Sequence, residues 1–128
     1  MSGPSDLRHP MKTARGLGAS KSGAHHWLAQ RVSAVALAPL SVWFVWHATW
    51  LFSADYASAQ AFIAQPLNAM LMAVFAVTLL HHSQLGLQVV VEDYVANEFK
   101  KLATLVVLQF IHVLLAVAAV FAVLKVAL

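Results

Sequence analysis

Between His82 and Tyr94 the chain places an imidazole, a glycine and a carboxylate at spacings that suit one face of a helix, with a phenol directly after the carboxylate. Gly86 follows His82 by four residues, and Asp93 follows it by eleven. At about 100° per residue, eleven steps close to within roughly 20° of whole turns. His82, Gly86 and Asp93 therefore share one stripe, with Asp93 about 16 Å further along the axis at ~1.5 Å per residue. An imidazole can ligate a metal or pass a proton. A carboxylate and a phenol can donate, accept or relay protons toward a polar head group. Gly86 removes a side chain where a flat molecule or a second helix could come close.

The elements that must hold these groups are set by hydropathy. The chain has 128 residues, of which 61% are hydrophobic and 10% charged, with a mean hydropathy of +0.75. A soluble domain carries about 25% charged residues. Residues 32–54, 56–91 and 102–124 contain no Asp, Glu, Lys or Arg. A spanning helix needs roughly 20 apolar residues. The first and third stretches each make one span, and the middle one makes a span with a polar lead-in. The fold class is an all-α membrane protein with three transmembrane helices, near residues 30–52, 66–91 and 101–124, preceded by a polar basic N-terminal tail. The organisation is a tail over 1–29 and a three-helix domain over 30–128. In the lead-in, Ser58, Gln60, Gln65 and Asn68 are polar, and Pro66 suits the first turn of the second helix. A buried soluble helical protein is disfavoured, because three uncharged stretches of spanning length leave too little polar surface.

Topology follows from the basic residues. The tail and the start of the first span hold Arg8, Lys12, Arg15, Lys21 and Arg31. The first connection holds none, the second holds Lys100 and Lys101, and the C-terminus holds Lys125. The expected arrangement has the N-terminus and the second connection in the cytoplasm. The tail lacks the Arg-rich amphipathic character of a transit peptide, which favours a bacterial inner membrane. The net charge of +3 belongs to that topology and does not point to nucleic acid. The chain has no cysteine, so it can form no disulfide and supply no thiolate to zinc or iron–sulfur clusters. There is no Gly-rich phosphate loop and no nucleophile elbow. Trp27, Trp46 and Trp50 partly fit interfacial belts, whereas Trp43 is deep enough to pack on a neighbouring helix or a cofactor.

Seven histidines are present, and His47, His81, His82 and His112 fall within the spans. A neutral imidazole is a good haem ligand; without a metal it must find a hydrogen-bond partner in the membrane. His82 and His112 lie at similar depths from the cytoplasmic side. His81 points about 100° away from His82, so the two cannot serve one site. Arg31 reads either as a positive-inside anchor or as a cation for carboxylates such as haem propionates, with the Ser33 hydroxyl near the same surface. Asp93 reads as an interfacial acid paired with Lys100 or Lys101, and Tyr94 as a belt aromatic. Together the two also suit a quinone head group.

The pattern His82–x–x–x–Gly86–x–x–x–x–x–x–Asp93–Tyr94 at the end of a second span resembles the smaller hydrophobic membrane anchor of succinate dehydrogenase (respiratory complex II), bacterial type. The stretch Arg31–Val32–Ser33–Ala34 is similar to the start of that anchor's first helix, and His25 falls where the family can have a histidine. The resemblance covers about residues 24–124. It implies an anchor in a succinate:quinone oxidoreductase of the tricarboxylic acid cycle and respiratory chain, catalytic only as part of the complex. The implied partners are a flavoprotein subunit with FAD, an iron–sulfur subunit with its clusters, a companion membrane anchor and membrane lipids. Haem b would be shared with the companion, and ubiquinone would be the substrate. By the same resemblance His82 is an axial haem ligand, Arg31 approaches a propionate or the quinone rim, and His25 contacts a propionate. Tyr94 hydrogen-bonds the quinone and Asp93 supports that site. The rival readings are a different haem b cytochrome with both ligands, His82 and His112, in one chain, and a cofactor-free structural anchor.

Overall fold

The structure, a computed structural model, describes residues 20–128. The tail residues Arg8, His9, Lys12 and Arg15 lie outside them. Four helices follow one another: α1 (Ser20–Leu51), α2 (Tyr56–Ala64), α3 (Pro66–Tyr94) and α4 (Glu98–Ala127). α1, α3 and α4 are long and apolar enough to cross a membrane. At 29 residues α3 runs about 43 Å, against a hydrocarbon core of roughly 30 Å, so its ends reach the head-group layers.

The three spans sit where the hydropathy places them, but each is longer than read. α1 begins at Ser20 rather than near residue 30. α3 runs on to Tyr94 instead of stopping near 91, so Asp93 and Tyr94 are still helical. α4 starts at Glu98, because the Asn97 side chain caps it by accepting the Lys100 backbone N–H at 3.0 Å. Glu98 in its first turn and Lys125 in its last complement the helix dipole. Pro39 lies inside α1 and has no N–H for the carbonyl one turn back, a loss that spanning helices tolerate when neighbours compensate.

The lead-in to the second span holds a helix of its own. α2 starts at Asp55, whose carboxylate accepts the Ser58 backbone N–H at 2.8 Å. Ser58, through its hydroxyl and then its N–H, holds that carboxyl below the usual 3.8. Gln65 ends α2 in the extended backbone (φ −68°, ψ 127°) that the following Pro66 requires. Asn68 is buried, and its amide donates to the Phe62 carbonyl at 2.9 Å and to Gln65 Oε1 at 3.3 Å. The Phe62 carbonyl at the end of α2 thus accepts twice, from the Gln65 N–H at 3.4 Å and from Asn68. The polarity of Asn68 thus belongs to a helix-capping bond and not to a solvated loop.

α3 is the central element. It packs most extensively on α4 and next on α1, while α2 rests against α3 and α4. On α1 the inward positions are Ser33 and Leu37, and Phe44 stacks on Phe75 of α3 with ring centroids 4.7 Å apart. Leu37 and Leu85 are the buried apolar side chains among the described residues, and none is fully enclosed. The three helices therefore form a thin layer with little core of its own, and most of its apolar surface faces lipid or other chains.

Candidate functional site

His82 projects from α3 toward α1. Its Nδ1 lies 2.9 Å from the Oγ of Ser33, which is buried at 6% exposure. The same hydroxyl donates to the Gln30 carbonyl at 3.0 Å. A serine hydroxyl has one hydrogen, and a carbonyl can only accept. Donor accounting therefore makes Nδ1–H the donor to Ser33 and leaves Nε2 with its lone pair, the form that ligates iron. Gly86, one turn on, meets nothing within 4 Å of where a Cβ would stand. Neither α1 nor α4 fills that space, so the stripe beyond His82 is open to something outside the described chain.

His112 is in a different situation. It is buried on α4, with Nδ1–H donating to the Leu108 carbonyl at 2.8 Å. Its Nε2 faces the Ser83 hydroxyl of α3 at 3.5 Å, the outer limit of a hydrogen bond. The imidazole therefore acts as a polar contact between α3 and α4. Ser83 is one residue from His82 and about 100° round the helix. The two histidines thus address different sides of α3. His81 is exposed. His47 donates from Nδ1 to the Trp43 carbonyl at 2.8 Å and sits between Trp43 and Phe62, with ring centroids at 4.9 and 5.0 Å. Trp43 is thus engaged by α1 itself and by α2, as its depth predicted.

The α1 N-terminus, the α3 C-terminus and the α4 N-terminus share one end of the layer. There Arg31 is exposed, with its guanidinium 5.6 Å from the Trp27 ring centroid, an attraction of cation to ring face. Asp93 and Tyr94 are exposed, Tyr94 at 84%. Lys101 pairs with Glu98 at 3.0 Å, one turn away on its own helix, and no ion pair holds Asp93 among the described residues. The carboxylate and the phenol are both free to meet a partner or a ligand.

Of the two histidines at the start of α1, His25 is exposed and His26 is half-buried. The Nε2 of His26 is enclosed and has no hydrogen-bond partner among the described residues. His26, Gln30 and Ser33 follow at four and seven residues, which is one face of a helix. That spacing was legible in the sequence and points to His26 rather than His25 as the inward group. Among the described residues no three His, Asp or Glu side chains converge to hold a metal ion. His82 keeps its Nε2 uncommitted within the described residues.

The family model described as succinate dehydrogenase/fumarate reductase transmembrane subunit matches residues 5–124. A succinate dehydrogenase hydrophobic membrane anchor subunit of Rickettsia bellii (strain RML369-C) is 30% identical over 118 residues, covering 92% of this chain and 94% of its own. Proteins of the same description are 34% identical over 103 residues in Rickettsia prowazekii (strain Madrid E), covering 80% and 82%, and 30% identical over 94 residues in Paracoccus denitrificans, covering 73% of each chain. No solved structure is a significant match.

Proposed function

Because this chain belongs to the succinate dehydrogenase/fumarate reductase transmembrane subunits, a multi-pass family that anchors the enzyme in the membrane, we propose that it helps to hold a haem b and to form the site where a quinone is reduced. The observation that carries the haem is the hydrogen bond from His82 Nδ1 to Ser33. It commits one ring nitrogen and leaves the other for iron, the usual arrangement behind a metal-bound imidazole. The residues fit the group in a second respect, since the space beside Gly86 is open. A haem held there would carry single electrons; this chain would hold it through His82, and the companion anchor would share it. Arg31 offers a guanidinium for a propionate or the quinone rim, and His25 and His26 stand on the same end of α1.

The quinone head would meet Tyr94 and Asp93. The phenol donates a hydrogen bond to a quinone carbonyl, which polarises it toward accepting electrons. The exposed Asp93 carboxylate keeps a proton acceptor and donor beside it at the water boundary. The electrons come from succinate by way of FAD and iron–sulfur clusters in the two soluble subunits. This chain then binds, orients and exchanges protons, while the redox chemistry belongs to the cofactors. In the same proposal the α1 N-terminus and the 95–97 connection face the cytoplasm of a bacterial inner membrane, on the side of the soluble subunits.

The test is a reduced-minus-oxidised absorbance spectrum of the complex purified through this chain, with co-purifying chains identified, for the native chain and His82→Ala. A b-type band lost in the variant, with flavin and iron–sulfur subunits present, is the expected result. A band that survives moves the haem to another residue. Absence of a band from the native complex overturns the haem assignment.

A further inference from the structure

α3 carries a second polar stripe that the haem and quinone reading does not use. His81, Gln84, Gln88 and Glu92 follow at three, seven and eleven residues, so they line one side of the helix. With α3 ending at Tyr94, they stand about 20, 15, 9 and 3 Å from its end. Gln109 of α4, about 16 Å from the start of its own helix, lines the same cleft as Gln84 and Gln88. That cleft, of about 210 Å³, is walled otherwise by Leu102, Leu105, Val106 and Leu108. Gln88 donates to Glu92 Oε1 at 2.7 Å. Among the described residues Gln84, Gln109 and His81 make no side-chain hydrogen bond, and Gln109 and His81 are exposed.

A carboxamide left bare in hydrocarbon is costly, because neither water nor lipid tails supply a partner. Gln84 and Gln109 in this cleft, with the His81 imidazole one turn from Gln84 on the same side of α3, need hydrogen-bonding atoms from outside the chain, at bilayer depth. An acyl chain offers none, and Gln84, about 15 Å from the end of α3, lies roughly 8 Å inside a hydrocarbon core of about 30 Å, below the lipid head groups. A second copy is disfavoured by charge: parallel two-fold packing along this stripe sets Glu92 against Glu92. We infer that this cleft seats a transmembrane helix of a different chain. That helix bears hydroxyl or amide side chains level with Gln84 and Gln109, and a Lys or Arg level with Glu92. The inference rests on the membrane placement of α3 and α4, not on the haem.

The test uses the purified complex. The chain has no cysteine, so a single one placed by Gln84→Cys or Gln109→Cys can be loaded with a photo-crosslinker without background. Val107→Cys serves as control, since Val107 is exposed and points about 200° away from Gln109. Expected are adducts from positions 84 and 109, and none from 107. They should map to one span of another protein of the complex that carries Ser, Thr, Asn or Gln inside it and Lys or Arg at its boundary. Adducts between two copies, adducts to lipid alone, adducts to a span without polar residues, or no adducts overturn the inference. A second measurement replaces Gln84 and Gln109 together by Leu. At about threefold per interhelical hydrogen bond lost, retention of the partner in detergent should fall roughly eightfold. Unchanged or improved retention overturns the inference, because Leu is the better residue against lipid. The b-type band read in the same samples keeps the two proposals apart: a band without adducts fails this one alone, and adducts without a band fail the haem alone.

Discussion

Ser33 and His82 stand 49 positions apart in the chain and 2.9 Å apart in the fold. The contact joins α1 to α3 at the level of the proposed haem, and it does two things at once. It satisfies a polar group inside the layer, and it selects the tautomer of the imidazole. Ser33 is a positioning residue, since it acts through His82 and would not touch the iron.

Ser33→Ala should lower haem content per complex while leaving some b-type band. Loss of the group behind a metal-bound imidazole typically costs about 10–100-fold in affinity. The midpoint potential of the remaining haem should shift as well, because the ligand loses its fixed donor. Ser33→Thr keeps a hydroxyl and should restore both. Normal haem content and potential in Ser33→Ala would sink the positioning role.

His112→Leu should leave the haem spectrum intact and change stability only slightly. Its Nε2 meets Ser83 at 3.5 Å, and an interhelical hydrogen bond in a membrane is worth on average about 0.6 kcal/mol. Thermal unfolding of the purified complex and its difference spectrum read the two effects separately. Loss of the b-type band in this variant would instead favour a cytochrome with both ligands in one chain.

Tyr94→Phe removes one hydroxyl from an exposed position and should leave assembly and haem untouched. Succinate-to-quinone electron transfer should fall by roughly a hundredfold, the low end of what a positioned proton donor contributes. Succinate oxidation with an artificial acceptor at the soluble subunits should continue at the native rate. Equal loss of both activities would place the defect outside the quinone site.

The Asp55 cap makes α2 pH-dependent at its start. Hydrogen bonds from Ser58 hold the Asp55 carboxyl below 3.8 in the folded chain. A carboxylate with a depressed folded pKa adds stability that is fully present above the unfolded value and is lost as pH falls through the folded one. Loosening of α2 should therefore set in as pH falls toward 3.8 and continue below it, and be absent near neutral pH. Phe62 of α2 stacks near Trp43 and Trp50, at 6.4 and 5.7 Å between centroids, so tryptophan emission reports the change. Asp55→Asn still caps and should abolish that pH dependence.

Much of this molecule was written in local sequence. Uncharged stretches of spanning length determine three membrane helices, because hydrocarbon excludes charge over a fixed thickness. The spacing of His82, Gly86 and Asp93 sets one stripe of α3, because a helix turns at a constant rate. One helix start was legible as well, since Pro66 marks that of α3, whereas the third span was read from 101 and the Asn97 cap of α4 emerges only in the structure. Other matters depended on how the helices meet. Asn68 looked like loop polarity, and only the docking of α2 turned it into a cap for the Phe62 carbonyl. Ser33 looked like a surface hydroxyl near Arg31, and only the antiparallel register of α1 on α3 set it against His82. His82 and His112 have the same residue type and similar depth, so hydropathy and spacing treat them alike. The tertiary arrangement separates them, because α1 brings a hydroxyl to Nδ1 of one while α3 brings a hydroxyl to Nε2 of the other. A hydrogen bond needs its two groups within about 3 Å, and which distant groups come that close is decided by helix packing rather than by sequence pattern.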